Sequence, residues 1–161
     1  MPEAARWFAL SALVVFFDYI SKIAVLGSFS PGESRAVTSF FNLVLVFNKG
    51  AAFSFLATAQ GWQTLFFAAI AAVASVVIGF LIIKNKHKKL FCGGLGLILG
   101  GALGNLYDRI AYGHVVDFLD FHAMGWHFPA FNVADSAITV GAGILILESF
   151  LHQEPADEKR A

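Results

Sequence analysis

The sequence predicts an all-α polytopic membrane protein, with four transmembrane helices and a small β-hairpin on the exterior side. Of the 161 residues, 58% are hydrophobic and only 14% are charged, and the mean hydropathy is +0.71. A soluble domain carries about 25% charged residues. A chain of this length cannot bury so many apolar side chains within itself, so we expect a bilayer to cover them. Residues 1–161 are predicted to form a single integral membrane domain.

The first predicted span, residues 7–26, contains two charged residues. Asp18 and Lys22 are four residues apart, and they therefore lie on the same face of a helix. Charged side chains inside a span are costly and are functional by default. Two interpretations stay open: a structural ion pair directed into a helix bundle, and a role at a functional site.

Residues 27–61 do not have the pattern of a span. Residues 40–47 are rich in aromatic and β-branched side chains, which predicts a strand. Residues 48–50 predict a turn, and residues 51–56 predict a return strand. A further span here would place Asn48 inside the hydrocarbon. We expect instead a small hairpin that lies on the membrane surface.

The charge distribution predicts the orientation of the chain. A second span, 62–83, is followed by four lysines within residues 84–89, and loops rich in lysine stay in the cytoplasm. Two more spans are predicted over 90–109 and 132–151. Both termini are then cytoplasmic, and the exterior segments are residues 27–61 and 110–131.

Glycines recur every four residues in the third span. Gly96, Gly100 and Gly104 form a stripe of small residues on one helix face. Such stripes allow close contact between membrane helices. We interpret this one as a packing surface, because no lysine or strand accompanies it as in a phosphate-binding loop.

Two aspartates flank the connection between the third and fourth spans. Asp117 and Asp135 must therefore lie on the same, exterior side of the membrane. Asn132 is a plausible N-cap for the fourth helix and places Asp135 in its first turn. Two carboxyl groups that share a site can divide the work of acid and base between them. This pair is our candidate catalytic dyad.

Five short motifs occur in order along the chain at these membrane positions. They are D-Y-I-S-K at 18–22, N-K-G-A-A-F at 48–53, G-G-A-L-G-N-L-Y-D-R at 100–109, V-V-D-F at 115–118 and F-N-V-A-D at 131–135. Over nearly its whole length, the sequence resembles the bacterial lipoprotein signal peptidases, type II. No motif position departs from the family pattern.

The resemblance implies an aspartyl endopeptidase of the bacterial inner membrane, with an exterior β-cradle and a short exterior helix. It implies that Asp117 and Asp135 are catalytic and act without cofactor or metal. It also implies a set of residues that support the site or the substrate: Asp18, Lys22, Asn48, Gly50, Asn105, Asp108, Arg109, Asn132 and Ala134.

The resemblance further implies the substrate and the partners. The substrate is a prolipoprotein whose lipobox cysteine already carries diacylglycerol, and cleavage falls just before that cysteine. The expected partners are these signal peptides and membrane lipid, and we expect a monomer. Nucleic acid is not expected, because the formal net charge is zero.

Four other interpretations are kept beside this one. A proton-coupled transporter would use the intramembrane carboxylates as relays, and a serine protease would need Ser136 or another serine with a base. A presenilin-type aspartyl protease would use Asp108, although its position beside Arg109 favours a paired structural carboxylate. A metal site is the fourth, with candidate ligands His114, Asp117, Asp120, His122 and His127.

Overall fold

The computed structural model describes residues 2–50 and 62–151. Within these residues, four helices are long and apolar enough to cross a membrane. This confirms the four-span prediction. The helices are α1 (Pro2–Leu26), α2 (Trp62–Lys84), α3 (Lys89–Tyr112) and α4 (Val133–Leu151).

Two helices extend beyond their predicted spans. The first begins at Pro2 because proline fits the first turn of a helix, where its missing N–H is not needed. The third continues to Tyr112 and ends at Gly113, which adopts a φ of 73° and donates its N–H to the carbonyl of Arg109. Glycine tolerates this left-handed conformation without steric cost. The helix therefore ends at this glycine.

The glycine stripe of α3 packs against α1, as predicted. The hydroxyl of Ser11 in α1 donates a hydrogen bond of 2.8 Å to the carbonyl of Gly96. A Cβ atom placed on Gly100 would lie 2.6 Å from Cβ of Val14, and one on Gly104 would lie 2.6 Å from Oδ2 of Asp18. The two helices can approach this closely only because these positions carry no side chain.

A small antiparallel sheet covers the end of the bundle at which α1 ends and α4 begins. We call this the sheet end. The predicted strand at 40–47 is confirmed, and its partners among the described residues come from elsewhere in the chain. The predicted return strand at 51–56 lies outside the described residues. In order across the sheet, the described strands are β1 (Ser34–Ala36), β2 (Phe41–Asn48), β3 (Val115–Ala123) and β4 (Trp126–His127).

The short helix that the resemblance implies does not occur in the described parts of the non-spanning segments, residues 27–50 and 113–132. The predicted turn at 48–50 is present, since Gly50 has a φ of 108°. Residues 51–61, which follow that turn, lie outside the description.

The pairing of β2 with β3 contains a β-bulge. Leu43 pairs with Leu119, whereas Val46 pairs with Asp117. Strand β2 therefore has one residue more than β3 between these two pairs. Beyond the bulge, Asn48 pairs with a residue on the same face of the sheet as Asp117.

Alternate residues of β3 serve different purposes. Val116 and Phe118 are buried with Val25 at the end of α1 and with Leu45 of β2. This apolar contact attaches the sheet to the helix bundle. Asp117 lies on the opposite face of the strand, because successive side chains of a strand point to opposite sides.

The glycine contacts generate a stability prediction. We expect Gly100→Ala to lower the unfolding free energy by about 1–3 kcal/mol, since the added methyl group overpacks the contact with Val14 and Ser11. Thermal unfolding of the detergent-solubilised protein measures this.

Gly143→Ala in α4 is the matched control. A Cβ on Gly143 would meet no heavy atom within 4 Å among the described residues. The thermal unfolding midpoint of Gly143→Ala is expected to stay unchanged or to rise, because alanine favours the helix more than glycine does. Equal midpoints for the two variants would contradict the packing role of Gly100.

Candidate active site

Asp117 lies in the middle of β3, in an almost closed environment. The residue is 2% exposed. Its Oδ1 atom accepts a hydrogen bond of 2.7 Å from the side-chain amide of Asn132, and its Oδ2 atom accepts one of 3.0 Å from that of Asn48. The amide of Asn48 is itself held, because its Oδ1 accepts the backbone N–H of Gly50 at 2.8 Å.

Asp135 lies in the first turn of α4 and is partly exposed. The predicted N-cap is confirmed: Oδ1 of Asn132 accepts the backbone N–H of Asp135 at 2.9 Å. The Asp135 carboxylate returns the contact, since its Oδ2 accepts the backbone N–H of Asn132 at 3.3 Å. Its Oδ1 accepts a hydrogen bond of 2.7 Å from the side chain of Asn105.

Asn132 therefore contacts both carboxylates. It is fully buried, and it donates to Asp117 from its side chain and to Asp135 from its backbone. Its side-chain nitrogen also lies 3.2 Å from Oδ1 of Asn105. The two aspartates that the sequence predicts as a pair are thus brought together around one asparagine, although 17 residues separate them in the chain.

The surroundings raise the pKa of Asp117 to about 7. Burial is the main cause, because a charged carboxylate is poorly solvated away from water. The negative charge of Asp135 adds to the rise, whereas hydrogen bonds from Asn48 and Asn132 and the charge of Lys22 oppose it. At neutral pH, Asp117 is therefore close to half-protonated.

A buried cluster of three charges lies beside the pair. Nζ of Lys22 contacts Oδ2 of Asp18 at 2.7 Å and Oδ2 of Asp108 at 2.8 Å, and all three side chains are nearly inaccessible to solvent. Lys22 also donates to Oδ1 of Asn105 at 3.2 Å. Asp18 and Lys22 lie on one helix face as predicted, and they form the ion pair that was one of the two interpretations left open. We call these three residues the charge cluster.

The charge cluster also binds the backbone next to each candidate catalytic residue. Oδ1 of Asp18 accepts the backbone N–H of Ala134 at 2.9 Å. Oδ2 of Asp108 accepts that of Val116 at 3.1 Å. Each of these amides belongs to the residue just before an aspartate of the pair. The cluster therefore fixes the position of the backbone just before Asp117 and Asp135.

Asp108 is a paired carboxylate, but its partner differs from the one predicted. The ion pair joins it to Lys22 and not to its neighbour Arg109. The Arg109 guanidinium donates to the carbonyl of Asn105 at 3.2 Å and lies 5.7 Å from the ring of Phe67. Its Nε atom is buried and has no hydrogen-bond partner among the described residues.

The five candidate metal ligands do not all converge on one point. Asp120 lies on the opposite face of β3 from Asp117, where it accepts hydrogen bonds from Asn42 at 2.8 Å and contacts His127 at 2.9 Å. His114 packs against another ring, 4.2 Å away. Within residues 2–50 and 62–151, no three histidine, cysteine or acidic side chains gather as metal ligands do.

These contacts also affect the pKa of Asp120. Burial raises the pKa of this carboxyl, but the hydrogen bonds from Asn42 and His127 outweigh it and hold the pKa below its usual value. The contact of Asn42 with Asp120 was not predicted from the sequence. Once the pairing of β2 with β3 is known, Asn42 lies opposite Asp120 on the same face of the sheet, and this register identifies the contact.

Comparisons with known proteins agree on one family. Residues 10–151 match the family model described as signal peptidase (SPase) II. The lipoprotein signal peptidases of Burkholderia multivorans and Burkholderia cenocepacia are each 59% identical over 144 residues, which is 89% of this chain and 87% of theirs. A bacterial membrane enzyme solved in meso at 2.3 Å resolution is 30% identical, with a TM-score of 0.83 over 98% of this chain and 94% of its own.

The fold and the relatives define a multi-pass bacterial membrane enzyme. The chain belongs to the signal peptidase II family, and it is a membrane peptidase that removes signal peptides. Its substrates are therefore prolipoproteins. The peptidase assignment replaces the transporter interpretation.

The charge cluster generates a second prediction. We expect Lys22→Met to lower the unfolding free energy by about 3–5 kcal/mol, because it leaves the buried carboxylates of Asp18 and Asp108 without a counterion. Thermal unfolding in detergent measures the loss. Lys84→Met, at the exposed end of α2, removes the same charge from the surface and is expected to have little effect. Similar losses for both variants would refute the role of the cluster.

Proposed function

We propose that the chain is an aspartyl endopeptidase in which Asp117 and Asp135 activate a water molecule. It cleaves a prolipoprotein just before the lipobox cysteine that carries diacylglycerol. The observation that carries this proposal is the shared contact with Asn132, which donates to Asp117 at 2.7 Å and to Asp135 at 3.3 Å. Two carboxyls held by one residue can act on the same water molecule.

The environments of the two carboxyls assign their starting roles. Asp117 is buried and has a pKa of about 7, so it supplies the protonated form. Asp135 is partly exposed in the first turn of α4, where the helix dipole favours a negative charge. Asp135 therefore takes a proton from water as the water attacks the scissile carbonyl. Asp117 donates its proton to the carbonyl oxygen.

The second half of the reaction reverses these roles. The tetrahedral intermediate collapses when the protonated carboxyl of Asp135 donates to the departing amine nitrogen. Asp117 then accepts the proton from the hydroxyl of the intermediate, and the carbonyl re-forms. The pair ends in its starting protonation state. No bond forms between enzyme and substrate, and every proton that moves passes through one of the two carboxyls.

The remaining site residues position this pair. Asn48, Asn105 and Asn132 hold the carboxylate oxygens through neutral amide donors. The charge cluster holds the backbone before each aspartate. Arg109 interacts electrostatically with both aspartates. Its Nε has no hydrogen-bond partner among the described residues and is suited to bind a substrate carbonyl.

Orientation in the membrane follows from charge. Trp7 donates to the carbonyl of Lys86 at 3.2 Å, so the start of α1 lies beside the lysine-rich loop, at the end opposite the sheet. Four lysines in that short loop favour the cytoplasm. The sheet end and the dyad then face the exterior of the inner membrane, and both termini are cytoplasmic. A lipidated signal helix can reach this depth by lateral diffusion, and a monomer suffices for the reaction.

Removal of either carboxyl tests the dyad. We expect Asp117→Asn and Asp135→Asn each to lower cleavage of a diacylglyceryl prolipoprotein peptide by about 10²–10⁴-fold, because each removes one proton-transfer group. The release of the signal peptide by purified protein measures this.

Asp120→Asn is the matched control for these variants. Asp120 lies on the same strand but on its opposite face, and it bonds to Asn42 and His127. We expect its cleavage rate to stay within a few-fold of wild type. An equal loss of cleavage activity in Asp120→Asn would contradict the assignment of Asp117 as a reacting group.

The raised pKa of Asp117 predicts a pH dependence. Asp117 is protonated below about pH 7 and ionised above it, so kcat/KM is expected to fall as the pH rises through about 7. The hydrogen bond from Asn48 favours the charged form and lowers the pKa. Asn48→Ala should therefore move this fall to higher pH. A pH–rate profile that is flat between 5 and 9, or one that moves down in Asn48→Ala, is incompatible with Asp117 as the acid.

A further inference from the structure

An aromatic groove lies on the sheet, away from the charge cluster. Its volume is about 420 Å³, and its walls include Phe40, Phe121, Trp126, Phe128 and Phe131. The rings contact one another: Phe121 stacks on Phe131 at 5.9 Å, and Phe128 meets Phe131 edge-on at 5.8 Å. Trp126 and Phe128 remain 64% and 47% exposed. Nothing in the proposed chemistry uses this groove.

The groove lies on the same face of the sheet as Asp117. Phe121 follows Asp117 by four residues in β3, and residues an even number apart share a face of a strand. Four strand residues span roughly 13 Å. On the other side, Phe131 directly precedes Asn132, which contacts both aspartates. The groove and Asp117 therefore lie along the same face of β3, and the groove reaches the residue that precedes Asn132.

A peptide cannot join this part of the sheet as an additional strand. The backbone of β3 is already engaged on both sides, because His122 donates to the carbonyl of Phe40 and Leu119 exchanges hydrogen bonds with Phe131. A chain that leaves the dyad along this face must cross over the side chains. It then makes contact through its own side chains, and the aromatic groove is an apolar site for one of them.

We propose that the groove binds the mature part of the prolipoprotein, through an apolar side chain about four residues beyond the cleaved bond. This inference rests on the proposed function. The signal segment of such a substrate stays in the bilayer, whereas the mature segment leaves on the sheet side. An extended segment covers the distance from Asp117 to Phe121 in about four residues.

Lipidated peptides that differ at one residue test the proposal. Each carries a signal segment, a diacylglyceryl cysteine and five mature residues, and a leucine replaces an aspartate at the third, fourth or fifth residue after the cleaved bond. We expect leucine at one of these three positions to raise kcat/KM about tenfold relative to aspartate. If the segment is extended, that position is the fourth.

Substitution at the groove rim then locates the effect. Phe128→Ser should reduce the preference for leucine to near one, whereas Val37→Ser, at an exposed residue between β1 and β2, should leave it unchanged. Both positions are exposed, and equal thermal midpoints for the two variants confirm that the fold is retained.

Three outcomes would overturn the proposal. Wild-type protein that cleaves all peptides at one rate has no such subsite, although the proposed function stands. A preference that survives in Phe128→Ser belongs to another surface. A Phe128→Ser variant that cleaves every peptide more slowly by one factor indicates that the groove contacts lipid instead. If wild-type protein cleaves none of the lipidated peptides, the proposed function itself fails.

Discussion

The site depends on one buried cluster, in which Lys22 forms ion pairs with two carboxylates that lie on different helices. Taking each of these ions out of water costs several kcal/mol, and the close contacts of Lys22 with Asp18 and Asp108 offset that cost. The same carboxylates accept the amides of Ala134 and Val116. Helix α4 and strand β3 are thus tied to one charged centre. Neither can move away from it without breaking a charge-assisted hydrogen bond.

The dyad itself is held by groups without net charge. A lysine or arginine in direct contact with both carboxylates would favour two negative charges and would expel the shared proton. Asn132 donates to both aspartates and leaves their mutual repulsion largely intact. Together with burial, this keeps the pKa of Asp117 at about 7. The charge cluster thus holds the backbone just before each aspartate. The asparagine side chains, in contrast, bind the carboxylates of Asp117 and Asp135 directly.

Local patterns in the sequence predicted the parts of this arrangement that depend on near neighbours. Hydropathy identified the four spans, helical spacing paired Asp18 with Lys22, and capping preferences placed Asn132 at the start of α4. The missing parts depend on distant contacts. The partner of Asp108 lies 86 residues earlier in the chain, so local spacing favoured the adjacent Arg109 instead. For the same reason, local patterns did not predict that β2 pairs with β3, which lies much further along the chain.

The β-bulge in β2 determines which residue reaches the dyad. With regular pairing from Leu43 onward, Asn48 would face His114, on the side of the sheet turned away from Asp117. The single extra residue turns the side chains that follow it in β2 to the opposite face of the sheet. This brings the Asn48 amide to the carboxylate of Asp117. Loss of one residue at this point would leave every side chain of the site present in the sequence, yet Asp117 would lose a hydrogen-bond donor. In the proposed mechanism, the length of this strand therefore matters as much as the identity of its residues.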